Sequence, residues 1–293
     1  MKISMYKRSA WKTLFKGGVK KTLIRALLYV PLALGVIIMI YPLLWMISSS
    51  LKHVQELAVI PPPLIPENPT LDNFRVVMEQ LPLLLRMFAN SFIVAISIPA
   101  IQTIIGTMAA YAFARIDFRY RHTIFMGYLC ALMIPGTVTI IPVFIIIRHL
   151  GLMDNIAALI LIGANNIFFI FWVRNFFMSI PRDLDDAAKI DGCNHFQSYF
   201  FVHLPLARPI IAVNAILMFN AAWGDYFGPL IFLRRVENMT VPLGLVMMQG
   251  MFSTATATVM IASIVTVLIP VIIVFLLGRR HIIAGISHTG MKL

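Results

Sequence analysis

Charged side chains are missing from long stretches of this sequence, and that absence limits the folds open to it. Twenty-six residues separate Arg25 from Lys52, and twenty-eight separate Arg86 from Arg115, with no Asp, Glu, Lys or Arg among them. Further uncharged stretches run from Thr123 to Ile147, Asn155 to Val173, Pro209 to Gly224 and Asn238 to Gly278. A helix crosses a bilayer with about 20 apolar residues, and five of these stretches suffice. Pro209 to Gly224 is shorter and reaches spanning length only if its helix continues past Asp225 through Ile231. Six spans are therefore expected, near 26–48, 89–113, 123–147, 156–178, 208–232 and 257–278. The chain is 60% apolar and 12% charged, whereas a soluble domain carries about 25% charge.

The charges that remain set an orientation. With the N-terminus inside, segments 1–25, 115–121, 174–208 and 279–293 face the cytoplasm and carry 8, 3, 4 and 3 Lys or Arg. The opposite face has six: Lys52, Arg75, Arg86, Arg148, Arg234 and Arg235. Basic residues gather on the cytoplasmic side of membrane proteins, so both termini are expected inside. The net charge of +12 then needs no nucleic-acid partner, because no basic patch falls on a soluble domain. The first apolar run is too long for a cleaved signal peptide and lacks a clean cleavage site. Cys130 and Cys193 are too far apart in this topology to suggest a disulfide or a metal site.

Residues 1–25 form a basic segment suited to anionic lipid. The outer loop 50–86 holds Pro61, Pro62, Pro63, Pro66 and Pro69, which favour extended backbone over helix; a short helix capped near Asp72 is expected after them. Pro135, Gly136 and Pro142 should kink the third span, and irregular backbone at membrane depth is tolerated only against protein or a water-filled cavity.

The cytoplasmic segment 181–209, PRDLDDAAKIDGCNHFQSYFFVHLPLARP, is long for a connection between spans. It is expected to be helix, turn, helix. Pro181 suits a helix start, and Asp183, Asp185 and Asp186 place negative charge in the first turns, where the helix dipole favours it. Gly192 can take the positive φ that closes a turn. Phe196, Tyr199, Phe200 and His203 follow at helical spacing, predicting an aromatic stripe on one exposed face. Leu204 and Pro205 end the second helix.

This segment resembles the EAA loop of the permeases of binding-protein-dependent ABC importers. Asp186, Ala187 and Ala188 stand where that pattern has Glu-Ala-Ala, followed by Asp191, Gly192 and the pair Leu204-Pro205. YPLLWMISSSLK at 41–52, NSFIVA at 90–95, AYAFAR at 110–115, IPGTVTIIPVF at 134–144 and the closing GISHTGMK resemble carbohydrate-uptake permeases of the maltose-importer G-subunit type. The tail departs from the usual ending of that type.

The resemblance implies an all-α integral membrane protein with a type I ABC importer transmembrane domain of six helices over 26–280, flanked by a tail at 281–293. It also implies a coupling helix pair, including Phe196, Tyr199 and Phe200, seated on a cytoplasmic ATPase. Expected partners are a second homologous permease, two ATPase subunits that bind ATP and Mg, an extracytoplasmic solute-binding protein and membrane lipid. This chain is expected to be non-catalytic and to carry no cofactor; it contains no phosphate-binding G-x-x-x-x-G-K-S/T loop.

Polar side chains inside spans usually face the bundle interior, so Asn165, Asn166, Asn214 and Asn220 are pathway candidates, as are Trp223, Asp225 and Tyr226 near the outer end of span five. For Gln102, hydrogen bonding between helices is the expected role. The outer loop 233–256, with Gly244, Gln249 and Gly250, suits a mobile probe. The substrate is expected to be a sugar or oligosaccharide. An acidic saccharide or a phosphorylated polyol is the alternative, as is ion-gradient-driven transport by this chain alone.

Overall fold

The computed structural model describes Leu27 and residues 29–80, 84–251 and 257–289, with the backbone alone at 80, 248–251 and 278–289. The expectations for 1–25, for the side chain of Gln249 and for the last four residues lie outside these. The described residues are helical with no strand. Four helices are long and apolar enough to cross a membrane: α1 (Tyr29–Ser50), α3 (Leu84–Arg115), α6 (Ile156–Ser179) and the apolar part of α12 (Ala257–Thr289). Two bent pairs bring the total to six if each counts as one broken span: α4 (Arg121–Met133) with α5 (Gly136–His149), and α8 (His195–Leu206) with α9 (Arg208–Trp223).

Each break has a local cause. Ile134 is extended (ψ 116°), the conformation that a following proline favours, and Pro135 follows at φ −59°, ψ 134°. The two halves of that span meet at 103°. Between α8 and α9 the bend is 72°; Pro205 and Pro209 each remove an N–H from the ladder there. Within α6 the helix stops after Gly163 and restarts at Ile167, where Asn166 Oδ1 accepts the Phe169 N–H at 3.0 Å. In α3 the residues Gln102–Gly106 wind as a π-helix just after Pro99, an internal proline.

The chain divides into two compact units. In the first, which runs to Arg75 and includes the start of α12, α1 exposes apolar side chains along its length, Met39 at 83% among them. Its C-terminal carbonyls are closed off within the unit. Asn73 Nδ2, in α2 (Asp72–Gln80), donates to Ser50 O and Lys52 O, both at 2.8 Å, and Thr70 N donates to Leu51 O at 2.8 Å.

The core of the second unit gathers Ala110, Tyr111 and Ala114 of α3, Phe125 of α4, Phe169, Val173 and Phe177 of α6, and Tyr199 of α8. Alanines on α3 let the aromatic side of α6 close in, and burying such rings is the main apolar contribution to packing. Arg174 lies 4.2 Å over the Phe125 ring and donates to Phe113 O at 3.2 Å. A second cluster packs Trp223 and Phe219, stacked at 5.8 Å, against Ala95 of α3 and Val267 and Val271 of α12.

Three expectations are corrected. Span five does not run unbroken from 208 to 232: α9 stops at Trp223, and α10 (Phe227–Phe232) begins anew. Asp225 Oδ1 accepts the N–H groups of Phe227 (3.0 Å) and Gly228 (3.2 Å), and that turn competes with helix continuation. Residues 233–251, expected to be a loop, are a short 3-10 turn followed by a helix as far as they are described. Asp154, Asn90 and Ser91 hold 234–241 in place, and α11 (Val241–Met251) follows with Val241 and Leu243 fully buried. Helix α12 also continues past 280 to Thr289, so the expected start of the tail is not a helix end.

A Cβ added at Gly106 would lie 2.8 Å from Cδ1 of Phe169, which is buried. Gly106→Ala is expected to cost about 1–3 kcal/mol through overpacking, read as a lower unfolding temperature in detergent. Gly35→Ala, inside α1 with nothing within 4 Å of the added Cβ, should not lower that temperature and is expected to raise it slightly, because alanine favours the helix.

Candidate functional site

Segment 181–209 folds as helix, turn and helix. Helix α7 (Asp183–Ile190) carries Asp183, Asp185 and Asp186 in its first turn and Lys189 in its last. Its end is a Schellman turn. Gly192 sits at φ +81°; its N–H bonds Lys189 O at 3.0 Å, and the Cys193 N–H bonds Ala188 O at 2.9 Å. Asn194 then caps α8 reciprocally: Asn194 Oδ1 accepts from Gln197 N and Gln197 Oε1 accepts from Asn194 N, both at 2.9 Å. Glycine is required at 192 by backbone conformation, not by crowding, because nothing lies within 4 Å of where its Cβ would be.

The aromatic stripe expected on one face is divided between two. Tyr199–His203 winds as a π-helix, which adds a residue to the turn and rotates the side chains beyond it. Tyr199 and His203 face inward. Tyr199 shares a 2.8 Å hydrogen bond with Thr107 of α3, and the His203 ring meets those of Tyr111 (4.9 Å) and Phe177 (5.6 Å). Phe196, Phe200 and Phe201 face outward at 62%, 50% and 66% exposure, joined by Ile190 at 87%. Of the other motif residues, Asp186, Ala187, Asp191 and Gly192 are exposed, Ala188 is buried, and Leu204 and Pro205 are half-buried.

The fastening of α7 to the spans uses residues that the motif does not single out. Arg115, at the end of α3, sets Nη1 2.9 Å from Asp185 Oδ2, with the two side chains 6% and 16% exposed. Its Nη2 donates to the carbonyls of Phe177 and Ile180 at the end of α6. His203 Nε2 lies 3.2 Å from Asp185 Oδ1, at ion-pair distance but without hydrogen-bond geometry. In the sequence Asp185 is one of three helix-start acids and Arg115 one of many topogenic cations. They are seventy positions apart, and no local pattern pairs them.

The pathway candidates separate in the same way. Gln102, buried, is a hub: its Nε2 donates to Gly163 O at 2.7 Å, and its Oε1 accepts from Asn214 (3.2 Å) and Asn166 (3.4 Å). Asn165 accepts from the Tyr128 hydroxyl, and Asn220 Oδ1 is buried without a partner. Trp223, 2% exposed, donates Nε1–H to Val267 O at 3.1 Å and meets Phe88, Phe92 and Phe219, so it offers no ring face to a ligand in this conformation. Asp225 caps α10, and Tyr226 is half-buried beside it.

Just before α6, Asp154 (φ +60°) accepts from the N–H groups of Arg234 (2.8 Å) and Arg235 (2.9 Å) and from the Arg235 guanidinium. Burial works to raise its pKa, but the hydrogen bonds from Arg235 and Arg234 prevail and hold the carboxyl well below the usual carboxylate range. Arg235 is therefore engaged by the chain's own carboxylate.

Broken apolar spans, an internal amide cluster and a helix pair fastened to their ends describe a multi-pass membrane protein. Residues 102–283 match the model of the binding-protein-dependent transport system inner membrane component family, and the chain belongs to that family. It resembles the inner membrane ABC transporter permease protein YcjP of Escherichia coli, at 32% identity covering 93% of this chain and 98% of that protein. The sulfoquinovosyl glycerol transport system permease protein SmoH of Agrobacterium fabrum is 34% identical, covering 86% and 89%. A solved structure of a bacterial ABC transporter involved in the import of the acidic polysaccharide alginate superposes with a TM-score of 0.77 at 26% identity, covering 89% of this chain and 97% of that one. Like these permeases, the chain is a multi-pass inner-membrane protein.

Removing one partner of a buried ion pair costs about 3–5 kcal/mol, so Asp185→Ala should release α7 from α3. Trypsin cleavage after the exposed Arg182 and Lys189 is expected to accelerate in that variant; an unchanged digestion rate would show that the pair does not hold the helix.

Proposed function

We propose that this chain is the permease subunit of an ATP-driven ABC importer for sugars or oligosaccharides, forming half of the translocation pathway. In this reading both termini and segment 181–209 are cytoplasmic. The partners are a second homologous permease, two ATPase subunits that bind ATP and Mg, and an extracytoplasmic solute-binding protein. The observation that carries it is the two-sided build of segment 181–209. One side is fixed to the spans by Arg115–Asp185 and Tyr199–Thr107, and the other presents Ile190, Phe196, Phe200 and Phe201 to a protein groove. A push on the exposed side then reaches the ends of α3 and α6 without deforming α7, because the fastening is buried.

Hydrolysis falls to the partner ATPases, and this chain's part is to convert their closure into movement of its spans. For the substrate, the polar groups inside the bundle include the amides Gln102, Asn166 and Asn214, bonded to one another in this conformation, and once that cluster opens they suit neutral hydroxyl-bearing ligands as donors and acceptors. The likeness to the alginate importer supports an acidic saccharide as the second reading. An ion-gradient-driven carrier would call for ionisable side chains in the middle of its spans, and the sequence places none there.

Purification of the tagged chain in mild detergent, followed by mass spectrometry, should recover a second permease and an ATPase. Recovery of this chain alone, competent for transport, would overturn the reading. Gly192→Leu forces a branched side chain to a positive φ and should abolish uptake while membrane insertion persists; normal uptake would remove the coupling role from this turn.

A further inference from the structure

The loop after α1 is built for an apolar surrounding. Ala58–Pro66 contains no charged residue, and four of its nine positions, Pro61, Pro62, Pro63 and Pro66, have no N–H to satisfy. Its prominent side chains are apolar: Ile60 is 93% exposed, Ile65 78% and Val59 55%. Exposed side chains of this kind on a loop surrounded by water would be unfavourable.

The loop is also held at a defined depth. Lys52, fully buried, donates its ammonium to Pro63 O, and the Ser48 hydroxyl donates to Leu64 O. Ser48 belongs to the last turn of α1, so Pro63 and Leu64 fold back level with the end of that helix. At 1.5 Å per residue the twenty-two residues of Tyr29–Ser50 span roughly 33 Å, close to the ~30 Å hydrocarbon thickness. The last turn therefore falls at the boundary between acyl chains and headgroups. The neighbouring backbone fits that depth, since Asn73 satisfies the last carbonyl of α1, at Ser50, and Asn73 and Thr70 satisfy the next two, at Lys52 and Leu51, without water. On the far side, Glu67 N bonds Glu56 Oε2 at 3.0 Å, and polar residues resume.

We propose that Ala58–Pro66 is a membrane-contacting wedge whose Ile60 and Ile65 side chains insert into the lipid leaflet at the C-terminal end of α1. The inference rests on α1 crossing the membrane and is independent of the substrate and of ATPase docking. Proline contributes by deleting donors that lipid cannot satisfy, and Lys52 and Ser48 contribute by occupying acceptors and fixing the depth. A wedge of this kind holds the end of α1 at one level in the leaflet, as interfacial anchors do for tilted helices.

The test is quenching of a bimane attached to single cysteines in the full chain, purified with whatever accompanies it and reconstituted in phosphatidylcholine nanodiscs. Cys130→Ser and Cys193→Ser supply the background; Ile60→Cys and Ile65→Cys report the wedge, and Asn68→Cys, exposed just beyond it, is the reference. Phosphatidylcholine carrying a nitroxide near the headgroup end of its acyl chain should quench the labels at 60 and 65 strongly and the label at 68 weakly. Aqueous iodide should give the opposite order. Iodide quenching at 60 and 65 equal to that at 68 overturns the proposal. So does protection from both quenchers, which would mean that protein covers the loop. Protection that arises only on adding a solute-binding protein would reassign the surface to that partner.

Discussion

Hydrocarbon offers a peptide group no hydrogen bond, so each place where a membrane helix stops must be repaired by the chain itself. Much of this structure consists of such repairs. Asn73 and Thr70 close the end of α1, Asn166 restarts α6, Asp225 starts α10, and Arg115 takes the last carbonyls of α6. Several of these side chains are polar residues that a search for transport function would choose first. Their primary assignment is to the backbone, and a ligand would have to compete with it.

That requirement also explains which parts of the molecule are readable from sequence. Charge-free runs locate the spans because an ionised side chain at membrane depth is costly, a strong one-dimensional signal. The turn at Gly192 is legible because one residue type takes a positive φ readily and the acids before it mark a helix start. The division of the aromatic stripe is not, since it depends on one extra residue per turn within Tyr199–His203, and nothing in the composition of that segment favours a π-turn over an α-turn.

Long-range pairings are equally hidden. Trp223 beside Tyr226 resembles an interfacial belt in sequence, yet its indole is enclosed by rings from α3 and its N–H is taken by a carbonyl of α12. Arg115 and Asp185 each have a sufficient local explanation, as topogenic cation and helix-start acid, and those explanations conceal their contact. The amides around Gln102 are recognisable as interior residues, but which of them meet is decided by the interruption of α6 at 164–166 and the π-turn of α3.

The position of Arg115 has a mechanical consequence. It joins the foot of α3, the end of α6 and the first turn of α7 at one guanidinium. With thirty-two residues, α3 is a lever roughly 48 Å long at about 1.5 Å per residue. A tilt of about 10° pivoting at that foot would carry its other end through roughly 8 Å, on the scale of the interaxial spacing between packed helices. A small rotation at the helix pair is thereby magnified, along a single helix, into a displacement as wide as a neighbouring helix.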